Sequence, residues 1–507
     1  MHDILILTFE SGGLMKNRAS GLLLPISALP SGWGMGSFGS QAYDFVDYLA
    51  SARQSYWQIL PLGPTGVGDS PYQTFSSYAF SPYYIDVDIL QEEGLLTSSE
   101  LIEYDCNTEN ANIDYSLMYS KRIPLLRLAA KKYNNELLRA FANKHAWADD
   151  FALFMSIKDA YGGLPWYHWD EDLRFRKASA LEAFRRSHKD NYYFWVFTQL
   201  QAWQQWKNLR AYAAEQGIYF IGDLPFYVAH DSVDVWKDPK FYLLDKEGKL
   251  LREAGYPPDA FSDDGQLWGN PIFNWKALKK VHYAPWISRL SHHLKMYDYV
   301  RLDHFLGFVN YWSIPAGSHP SKGRWEKGPG YDLFACAREA LGELNLIAED
   351  LGLISPDVIR LRKDLNIPGM RVLQFAFDPH SDNEHLPHNY ELDNVVYTGT
   401  HDNDTFVGWW EHAGSEIRQF TKKYLRLEEG GEPVQKTAHL TLMASIARTC
   451  ILPVQDLLGI GREGRINIPN TLSGNWIWRM SEIPDSQSAA ELAEWTIIYR
   501  RTPLESV

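Results

Sequence analysis

Four acidic residues fall at or just after the ends of short apolar runs that predict β-strands. Asp223, Asp303 and Glu349 close the third, fourth and fifth runs, and Asp402 follows the seventh. In a parallel barrel these strand ends meet on one face, where active sites are built. Carboxylates gathered there repel one another and shift each other's pKa, which folding alone gives little reason to do. The cluster therefore indicates a chemical task, although a single Asp after a strand is equally typical of a turn.

The neighbours of two of these acids suggest different roles for them. Arg301 and Asp303 are two residues apart, so on a strand their side chains share a face. A guanidinium there favours the ionised carboxylate that a nucleophile needs, although a structural ion pair is the alternative. Glu349 in a low-dielectric site would have a raised pKa and act as a general acid. The alternative is that Asp350 caps the next helix and Glu349 lies at the surface.

The polar segment 400–405, THDNDT, has two interpretations. It offers either ligands for a divalent metal or a hydrogen-bonding wall around a polyhydroxyl ligand. A metal site needs several oxygen or His ligands in defined geometry, and the segment lacks EF-hand spacing while the chain has no HExxH motif. The second interpretation is favoured, and no metal is predicted. One ionised and one protonated carboxyl group are the equipment of glycoside cleavage.

Eight strand-like runs position these side chains. Most are nearly continuous apolar stretches bounded by Gly, Pro, Asp or Asn, which is typical of strands buried on both faces of a parallel sheet. They are 20–25, 56–61, 219–224, 299–303, 346–349, 371–377, 395–400 and 451–456. Helical segments lie between several of them, such as 194–216, which lacks Gly and Pro and stops at Gly217. The alternation predicts an α/β fold, a (β/α)₈ TIM barrel with large, mainly helical insertions.

The spacing of the runs predicts the domain organisation. We expect a single catalytic barrel over residues 1–507, because the segment 457–507 is too short for a C-terminal β-sandwich of about 100 residues. The long gap after the second strand predicts a mainly helical insertion over 85–195. A further insertion over 235–290 is expected to hold a hairpin at 242–251 and a substrate loop. The Gly/Pro-rich segments 255–271 and 315–330 are interpreted as functional loops without regular structure.

Composition excludes several classes of protein. The 507 residues carry 49 Lys plus Arg against 63 Asp plus Glu, a net charge of -14 that argues against a nucleic-acid binder. With 45% hydrophobic and 22% charged residues, the chain has a folded composition. The 19 Trp, 29 Tyr and 24 Phe are unusually many. Their rings either pack in the core or form flat binding platforms.

Cysteine use and the first residues bear on location. Cys106, Cys336 and Cys450 have no zinc-site spacing, which suggests free thiols in a reducing compartment. The first nine residues lack the positive n-region of a signal peptide, and no apolar run approaches the roughly 18 residues of a membrane span. We therefore expect a cytoplasmic protein with no membrane partner. Met15 reads as a second possible start, preceded by an extension over residues 1–14.

The chain resembles the 4-α-glucanotransferases called amylomaltases or disproportionating enzymes, glycoside hydrolase family 77. The resemblance extends from about Arg18 to Arg479 and is carried by long motifs in order. They are GLLLP at 21–25, WQILPLGPTG at 57–66, GDSPYQ at 68–73, GDLPFYVA at 222–229, GQLWGNP at 265–271, RLDHF at 301–305, AEDLG at 348–352, GTHDNDT at 399–405 and QDLLG at 455–459.

The resemblance implies a role for each matching residue. Asp303 corresponds to the nucleophile that forms a covalent glucosyl-enzyme, Glu349 to the general acid/base, and Asp402 to the acid that holds the sugar and stabilises the transition state. The other positions implied to bind substrate are Arg301, His401, Asp223, Tyr72, Trp268, Asn270, Tyr256, Asp69, Ser70, Gln266 and Gln455.

The implied reaction is a retaining transfer of a 1,4-α-glucan segment to the 4-hydroxyl of another glucan or of glucose. The donor is a maltooligosaccharide, starch or glycogen, no metal or organic cofactor is needed, and the chain is expected to be a monomer or small homo-oligomer. Retention predicts carboxyl groups about 5–5.5 Å apart. Leu306, Ala260 and Ser318 depart from the family pattern, which bears on acceptor binding and product size.

Three alternatives stay open at this point. An α-amylase-type hydrolase would use the same carboxylates with water as the acceptor. A non-catalytic glucan-binding protein would bind without turnover, although the intact acids argue against it. A metal-dependent barrel hydrolase would use His401 and Asp402.

Overall fold

The computed structural model describes residues 17–66, 68–106, 112–258, 264–352, 354–471 and 473–502. The extension over residues 1–14 and the departure at Ala260 lie outside them. The strands are β1 (Ala19–Leu23), β2 (Tyr56–Gln58), β3 (Tyr219–Leu224), β4 (Arg252–Tyr256), β5 (Gln266–Pro271), β6 (Tyr299–Leu302), β7 (Asn310–Pro315), β8 (Arg324–Lys327), β9 (Leu346–Ala348), β10 (Gly369–Val372), β11 (Asn394–Tyr397) and β12 (Thr449–Pro453).

The helices that precede β4 belong to the first three barrel crossovers. They are α1 (Ser40–Ser51), α2 (Val87–Glu92), α3 (Ser98–Glu103), α4 (Tyr115–Leu117), α5 (Ile123–Lys132), α6 (Asn135–Lys144), α7 (Ala146–Ala160), α8 (Glu171–Arg174), α9 (Ala178–Ser187), α10 (Lys189–Glu215) and α11 (Val233–Lys237). The remaining helices are α12 (Trp275–Lys280), α13 (Ala284–Met296), α14 (Tyr331–Leu341), α15 (Pro356–Asp364), α16 (Phe406–His412), α17 (Ser415–Leu425), α18 (Val434–Ala444), α19 (Val454–Leu457) and α20 (Ser486–Ile498).

Eight parallel strands close into a barrel, which confirms the predicted fold class. Around the barrel the order is β1, β2, β3, β6, β9, β10, β11 and β12, and β12 pairs with β1. Each strand overlaps one of the eight apolar runs of the sequence. All eight contribute to one cluster of buried apolar side chains, which includes Leu23, Tyr56, Ile221 and Ile347. That cluster fills the inside of the barrel, while the opposite strand faces pack against the helices.

Close contact between β1 and β2 depends on a glycine. A Cβ atom at Gly21 would lie 2.3 Å from the backbone oxygen of Tyr56, so any side chain there would push the two strands apart. Some apolar runs are longer than the strands they contain. Residues Leu373–Phe375 form a 3₁₀ helix after β10, and α19 begins directly after β12. Helix α10 begins at Lys189, five residues before the predicted start at 194.

Two parts of the loop interpretation are wrong. The segments 255–271 and 315–330 hold part of β4, all of β5 and all of β8, which join β7 in a four-stranded antiparallel sheet ordered β5, β4, β7, β8. Their Gly and Pro residues suggested loops, but backbone pairing stabilises them as strands: β4 pairs with β7, distant in sequence, while β5 and β8 pair with their sequence neighbours β4 and β7. In the predicted hairpin at 242–251, Leu244 and Leu250 form a bridge, and backbone N–H groups of Asp245 and Leu251 donate to Lys249 and Leu243. After β12 the described residues form helices and loops only.

Candidate active site

The barrel register brings the strand-end acids together. On β3 and β6, Asp223 is the register partner of Arg301, and on β6 and β9 Leu302 is the partner of Ala348. Asp303 and Glu349 each follow directly after one of those partners, so they leave neighbouring strands side by side. Asp402 lies in the loop after β11. The four acids therefore share the carboxyl end of the barrel.

One buried guanidinium contacts three of these carboxyl groups. Arg301, which is 3% exposed, donates from Nη1 to Asp223 Oδ2 at 2.6 Å and to Asp303 Oδ1 at 3.3 Å. Its Nη2 lies 3.8 Å from Glu349 Oε2. Three carboxyl groups against a single cation leave excess negative charge in a desolvated place, which favours binding of a proton.

The proton belongs on Glu349. Burial raises the pKa of Glu349 to about 8, with Arg301 opposing the shift and Asp303 adding to it. Burial also raises the pKa of Asp303, but Arg301 and the backbone N–H of Phe226 both hydrogen-bond to that carboxylate and oppose the rise. Asp303 has the direct bond to the guanidinium, so it is the ionised member of the pair. An ionised carboxylate beside a protonated one is suited to acid-assisted displacement.

Asp350, the neighbour of Glu349, faces away from this cluster. It is 1% exposed and pairs with Arg362 Nε at 3.0 Å and Arg371 Nη1 at 3.4 Å. Glu349 is held toward the cluster, because the backbone N–H of His304 donates to Glu349 Oε2 at 2.5 Å. The structure thus answers the question left by the sequence: Glu349 faces the site and Asp350 is structural.

Asp402 is held from two directions while its carboxylate stays half exposed. Asn467 Nδ2 donates to Asp402 Oδ1 at 2.6 Å, and His401 Nε2 lies 3.4 Å from Asp402 Oδ2. Burial lowers the pKa of His401, which favours the neutral imidazole. The loop itself is fixed by the backbone N–H of Thr400, which donates to Asn403 Oδ1 at 2.9 Å. The result is a carboxylate that can meet a ligand without reorganising.

Tyr72 contacts both Asp223 and His401. Its hydroxyl donates to Asp223 Oδ2 at 2.7 Å, and its ring stacks on His401 with centroids 5.1 Å apart and planes at 15°. Trp476 lies 5.9 Å from both rings. The sequence did not predict Trp476 and Asn467 as site residues. The signal was a polar segment after the last strand that carries two tryptophans, at 476 and 478.

Aromatic rings of the antiparallel sheet lie beside the loop after β6, which holds Asp303 and His304. Tyr256 and Trp268 are near parallel at 6.5 Å, and Trp325, which is 43% exposed, meets Tyr256 edge-on at 6.0 Å. Trp268 in turn contacts the ring of His304 edge-on at 5.0 Å. His304 follows Asp303 and adopts the left-handed conformation, with φ 49°. These rings form a platform next to the carboxylates, and Trp325 was not foreseen.

Several predicted binding residues support this platform or a loop. Gln266 Oε1 accepts from Trp268 Nε1 at 2.9 Å, and Asn270 Oδ1 accepts from Gln73 Nε2 at 2.8 Å. Ser70 Oγ accepts from the backbone N–H of Tyr72 at 3.3 Å. Two of these contacts, those to Trp268 and Tyr72, position an aromatic residue of the site.

Two other predicted binding residues, Gln455 and Asp69, bond to backbone groups of nearby loops. Gln455, which is 4% exposed, donates to the backbone oxygen of Gly464 at 3.2 Å and so supports the loop beneath His401. Asp69 adopts φ 54° in the turn before Tyr72, where its N–H donates to Gly66. Residues 259–263 of the predicted substrate loop lie outside the described part of the chain.

Within the ranges that the structure describes, no three or more His, Cys, Asp or Glu side chains are grouped so as to hold a metal ion. No helix there combines the length and apolar character needed to cross a membrane.

Comparison with known proteins identifies the family. The profile of glycoside hydrolase family 77, described as 4-alpha-glucanotransferase, matches residues 24–485. The 4-alpha-glucanotransferase of Streptococcus pneumoniae is 46% identical over 96% of this chain and 98% of its own, and that of Thermus thermophilus is 44% identical over 91% and 95%. The solved amylomaltase from Streptococcus agalactiae in complex with acarbose superposes with a TM-score of 0.93 at 40% identity, covering 96% of this chain and all of its own. The chain therefore belongs to the 4-α-glucanotransferase family, glycoside hydrolase family 77.

Proposed function

We propose that the chain carries out its family's reaction, transfer of 1,4-α-glucan segments, with Asp303 as nucleophile, Glu349 as general acid/base and Asp402 as transition-state stabiliser. The observation that carries this assignment is the Arg301 guanidinium, which bonds to Asp303 at 3.3 Å and lies 3.8 Å from Glu349. The donors are maltooligosaccharides, starch or glycogen, and the acceptors are glucans or glucose.

The first half-reaction moves one proton and one charge. Glu349 protonates the glycosidic oxygen, Asp303 attacks the anomeric carbon, and the shortened glucan leaves with the proton. Asp303 loses its charge in the covalent ester just as Glu349 gains one. The net charge beside Arg301 is unchanged, so the same guanidinium stabilises both states without moving.

The second half-reaction reverses the roles. Glu349, now a carboxylate, takes the proton from the 4-hydroxyl of an incoming glucan, whose oxygen displaces Asp303 from the anomeric carbon. Transfer wins over hydrolysis if a sugar reaches the ester before water does. The platform of Tyr256, Trp268 and Trp325 adjoins His304 and offers faces on which an acceptor can stack. In this proposal the insertion over 235–290 supplies the substrate loop of a single catalytic barrel, and the insertion over 85–195 encloses it.

A maltotriose assay tests the function directly. We expect glucose together with glucans longer than maltotriose, and no net rise in reducing ends, because each bond cleaved is replaced by a bond formed. Product chromatography and a reducing-sugar assay on the same sample measure both quantities. Reducing ends that rise in step with glucose, without longer glucans, would identify a hydrolase instead.

The pH dependence follows from the protonated acid. Since kcat/KM reports the free enzyme and the pKa of Glu349 is raised to about 8, kcat/KM for maltotriose is expected to fall tenfold per pH unit above that value. The fall in kcat/KM at low pH is assigned to protonation of Asp303, because burial raises the pKa of that carboxyl group above the ordinary Asp value. Initial rates at low maltotriose from pH 4 to pH 10 give the profile. An alkaline limb that begins near pH 5 would contradict the assignment of the proton.

Asn467 is expected to position Asp402 without contacting substrate. A hydrogen bond to a charged group contributes about 1.5–3 kcal/mol, so Asn467→Ala should lower kcat by about 10- to 150-fold with a smaller change in KM. Asn467→Asp offers no donor and should be at least as slow, whereas Asn467→Gln restores an amide. A change confined to KM would show that Asn467 binds ground-state substrate.

The same proposal places the enzyme in the cytoplasm, apart from nucleic acids and membranes. Its support is chemical: Cys106, Cys336 and Cys450 are free thiols, as a reducing compartment maintains, and the net charge of -14 opposes binding to phosphate backbones.

A further inference from the structure

A second cleft lies between the helical insertion and the barrel. It has about 360 Å³ of interior space, and its walls come from the junction of α6 and α7, from α11 and from the start of α13. That volume falls in the range of small-molecule sites, about 300–1,000 Å³. Its lining includes none of the catalytic carboxylates, nor Arg301 or His401.

Aromatic side chains form much of the wall. Trp147, Tyr78 and Tyr242 are half buried, and Phe273 and Trp286 lie deeper, at 5% and 3% exposure. Rings that keep one face accessible in a concave site are suited to the C–H faces of a sugar.

Polar side chains that open onto the cleft supply hydrogen-bond donors and acceptors. Lys144 is exposed and Asp238 is half buried, so they can bond to the oxygen atoms and hydroxyl hydrogens of a ligand. Asp234 also lines the cleft, where one oxygen accepts from the backbone N–H of Ser77 at 2.9 Å, and its carboxylate can accept from ligand hydroxyl groups.

The charges of the wall balance. Three cations face three carboxylates, and one pair, Lys237 and Asp150, is already joined at 2.7 Å. The six residues are Lys144, Lys237, Arg289, Asp150, Asp234 and Asp238. A balanced wall gives no net attraction for an anion or a cation, so the ligand is neutral.

We propose that this cleft is a second binding site for a neutral hexose ring, the end of a maltooligosaccharide chain. Hydroxyl groups both accept and donate, so a sugar can bond to Lys144 on one side and to Asp234 and Asp238 on the other. The neutral polyols that this enzyme meets are its own glucans, so the identity of the sugar rests on the proposed function, while the site itself lies outside the catalytic centre.

The cleft adjoins the loop after β3, which contains Pro225 and Phe226 and contacts the proposed nucleophile, Asp303. Arg289 donates from Nη1 to the backbone oxygen of Phe226 at 3.0 Å and from Nη2 to that of Pro225 at 2.6 Å. The backbone N–H of Phe226 in turn bonds to Asp303. A ligand in the active site can therefore alter the cleft through this loop. An experiment on the cleft must distinguish a ligand bound there from an effect transmitted from the active site.

Hydrogen–deuterium exchange on the full-length Asp303→Asn enzyme, titrated with maltotriose, makes that separation. Maltotriose is expected to slow exchange in the segments 144–150 and 284–289 as well as around the active site. Ser288→Phe, added to that background, places a ring at the cleft mouth, where Ser288 is exposed beside Tyr78. It should remove the slowing in the cleft segments and leave the slowing at 301–305. Trp147→Ala should do the same by removing a wall.

A matched control is Trp325→Ala in the same background, which removes an aromatic ring at the other site and should leave the cleft segments protected. Thermal unfolding midpoints confirm that each variant is folded. The proposal is overturned if maltotriose gives no slowing at 144–150 and 284–289, or if the slowing survives both Ser288→Phe and Trp147→Ala. Loss of transfer activity in Asp303→Asn is scored separately, so failure of the cleft and failure of the proposed function are distinguishable.

Discussion

Asp303→Asn is expected to lower kcat for maltotriose by roughly 10⁵-fold or more, the scale of loss when a covalent nucleophile is removed from an enzyme. The amide keeps the shape of the side chain but cannot form the glucosyl ester. It also removes one of three carboxyl groups around Arg301, so the fold should be preserved or slightly more stable. Glucose release from maltotriose and the thermal unfolding midpoint measure the two effects.

The matched control for this variant is Asp393→Asn. Asp393 is an exposed acid that pairs with Arg448 away from the site, and its loss should leave kcat within about twofold, as for most surface substitutions. A second variant, Asp303→Gly, leaves room for azide. Azide should then displace the leaving glucan directly and give a glycosyl azide of inverted configuration. Wild-type activity in Asp303→Asn would rule out the nucleophile assignment.

The sequence predicted the catalytic face because local patterns set it. Eight apolar runs fix which strands are buried, and parallel closure then brings every strand end to one face, so Asp303 and Glu349 become neighbours whatever the loops do. The wide gaps between runs likewise predicted large insertions. These inferences need only the direction of each strand and its burial, both of which are written in short stretches of sequence.

Most of the missed features depend on contacts between distant residues. Asn467 bonds to Asp402 and Trp476 packs on Tyr72 across the barrel mouth, and no local pattern announces either pair. The strands β4, β5 and β8 looked like loops because of their Gly and Pro residues. In that sheet β4 pairs with β7 across a long stretch of sequence, and β5 and β8 are local partners of β4 and β7. The structural role of Asp350 depends on its ion pairs with Arg362 and Arg371, which no local sequence pattern predicts.

The contact of Arg301 with three carboxyl groups determines which of them keeps a proton. The sequence paired Arg301 with Asp303 alone, which accounts for an ionised nucleophile. The structure adds Asp223 at 2.6 Å and Glu349 at 3.8 Å. With Asp223 bound so closely, little of the cation's charge is left to ionise Glu349 as well, and desolvation keeps the proton there. The predicted carboxyl spacing of about 5–5.5 Å for retention stays a prediction.

Glu349→Gln is expected to separate the two duties of the acid/base. With maltotriose, kcat/KM should fall by about 10²- to 10⁴-fold, the usual contribution of general acid–base catalysis, because the departing sugar oxygen is no longer protonated. With α-maltosyl fluoride the leaving fluoride needs no proton, so the first step should remain fast. The maltosyl ester on Asp303 should then accumulate, since no base activates the acceptor, and intact-protein mass spectrometry would detect it.

Azide tests the second half-reaction, because it attacks the ester without giving up a proton. Added to Glu349→Gln with the fluoride donor, it should restore turnover and yield the glycosyl azide with retained configuration, since it displaces Asp303 from the face that the acceptor uses. Glu339→Gln, an exposed glutamate on α14, is the matched control and should behave as wild type. If Glu349→Gln slows the fluoride as severely as maltotriose, then Glu349 does not donate the proton, and the alkaline limb near pH 8 must come from another group.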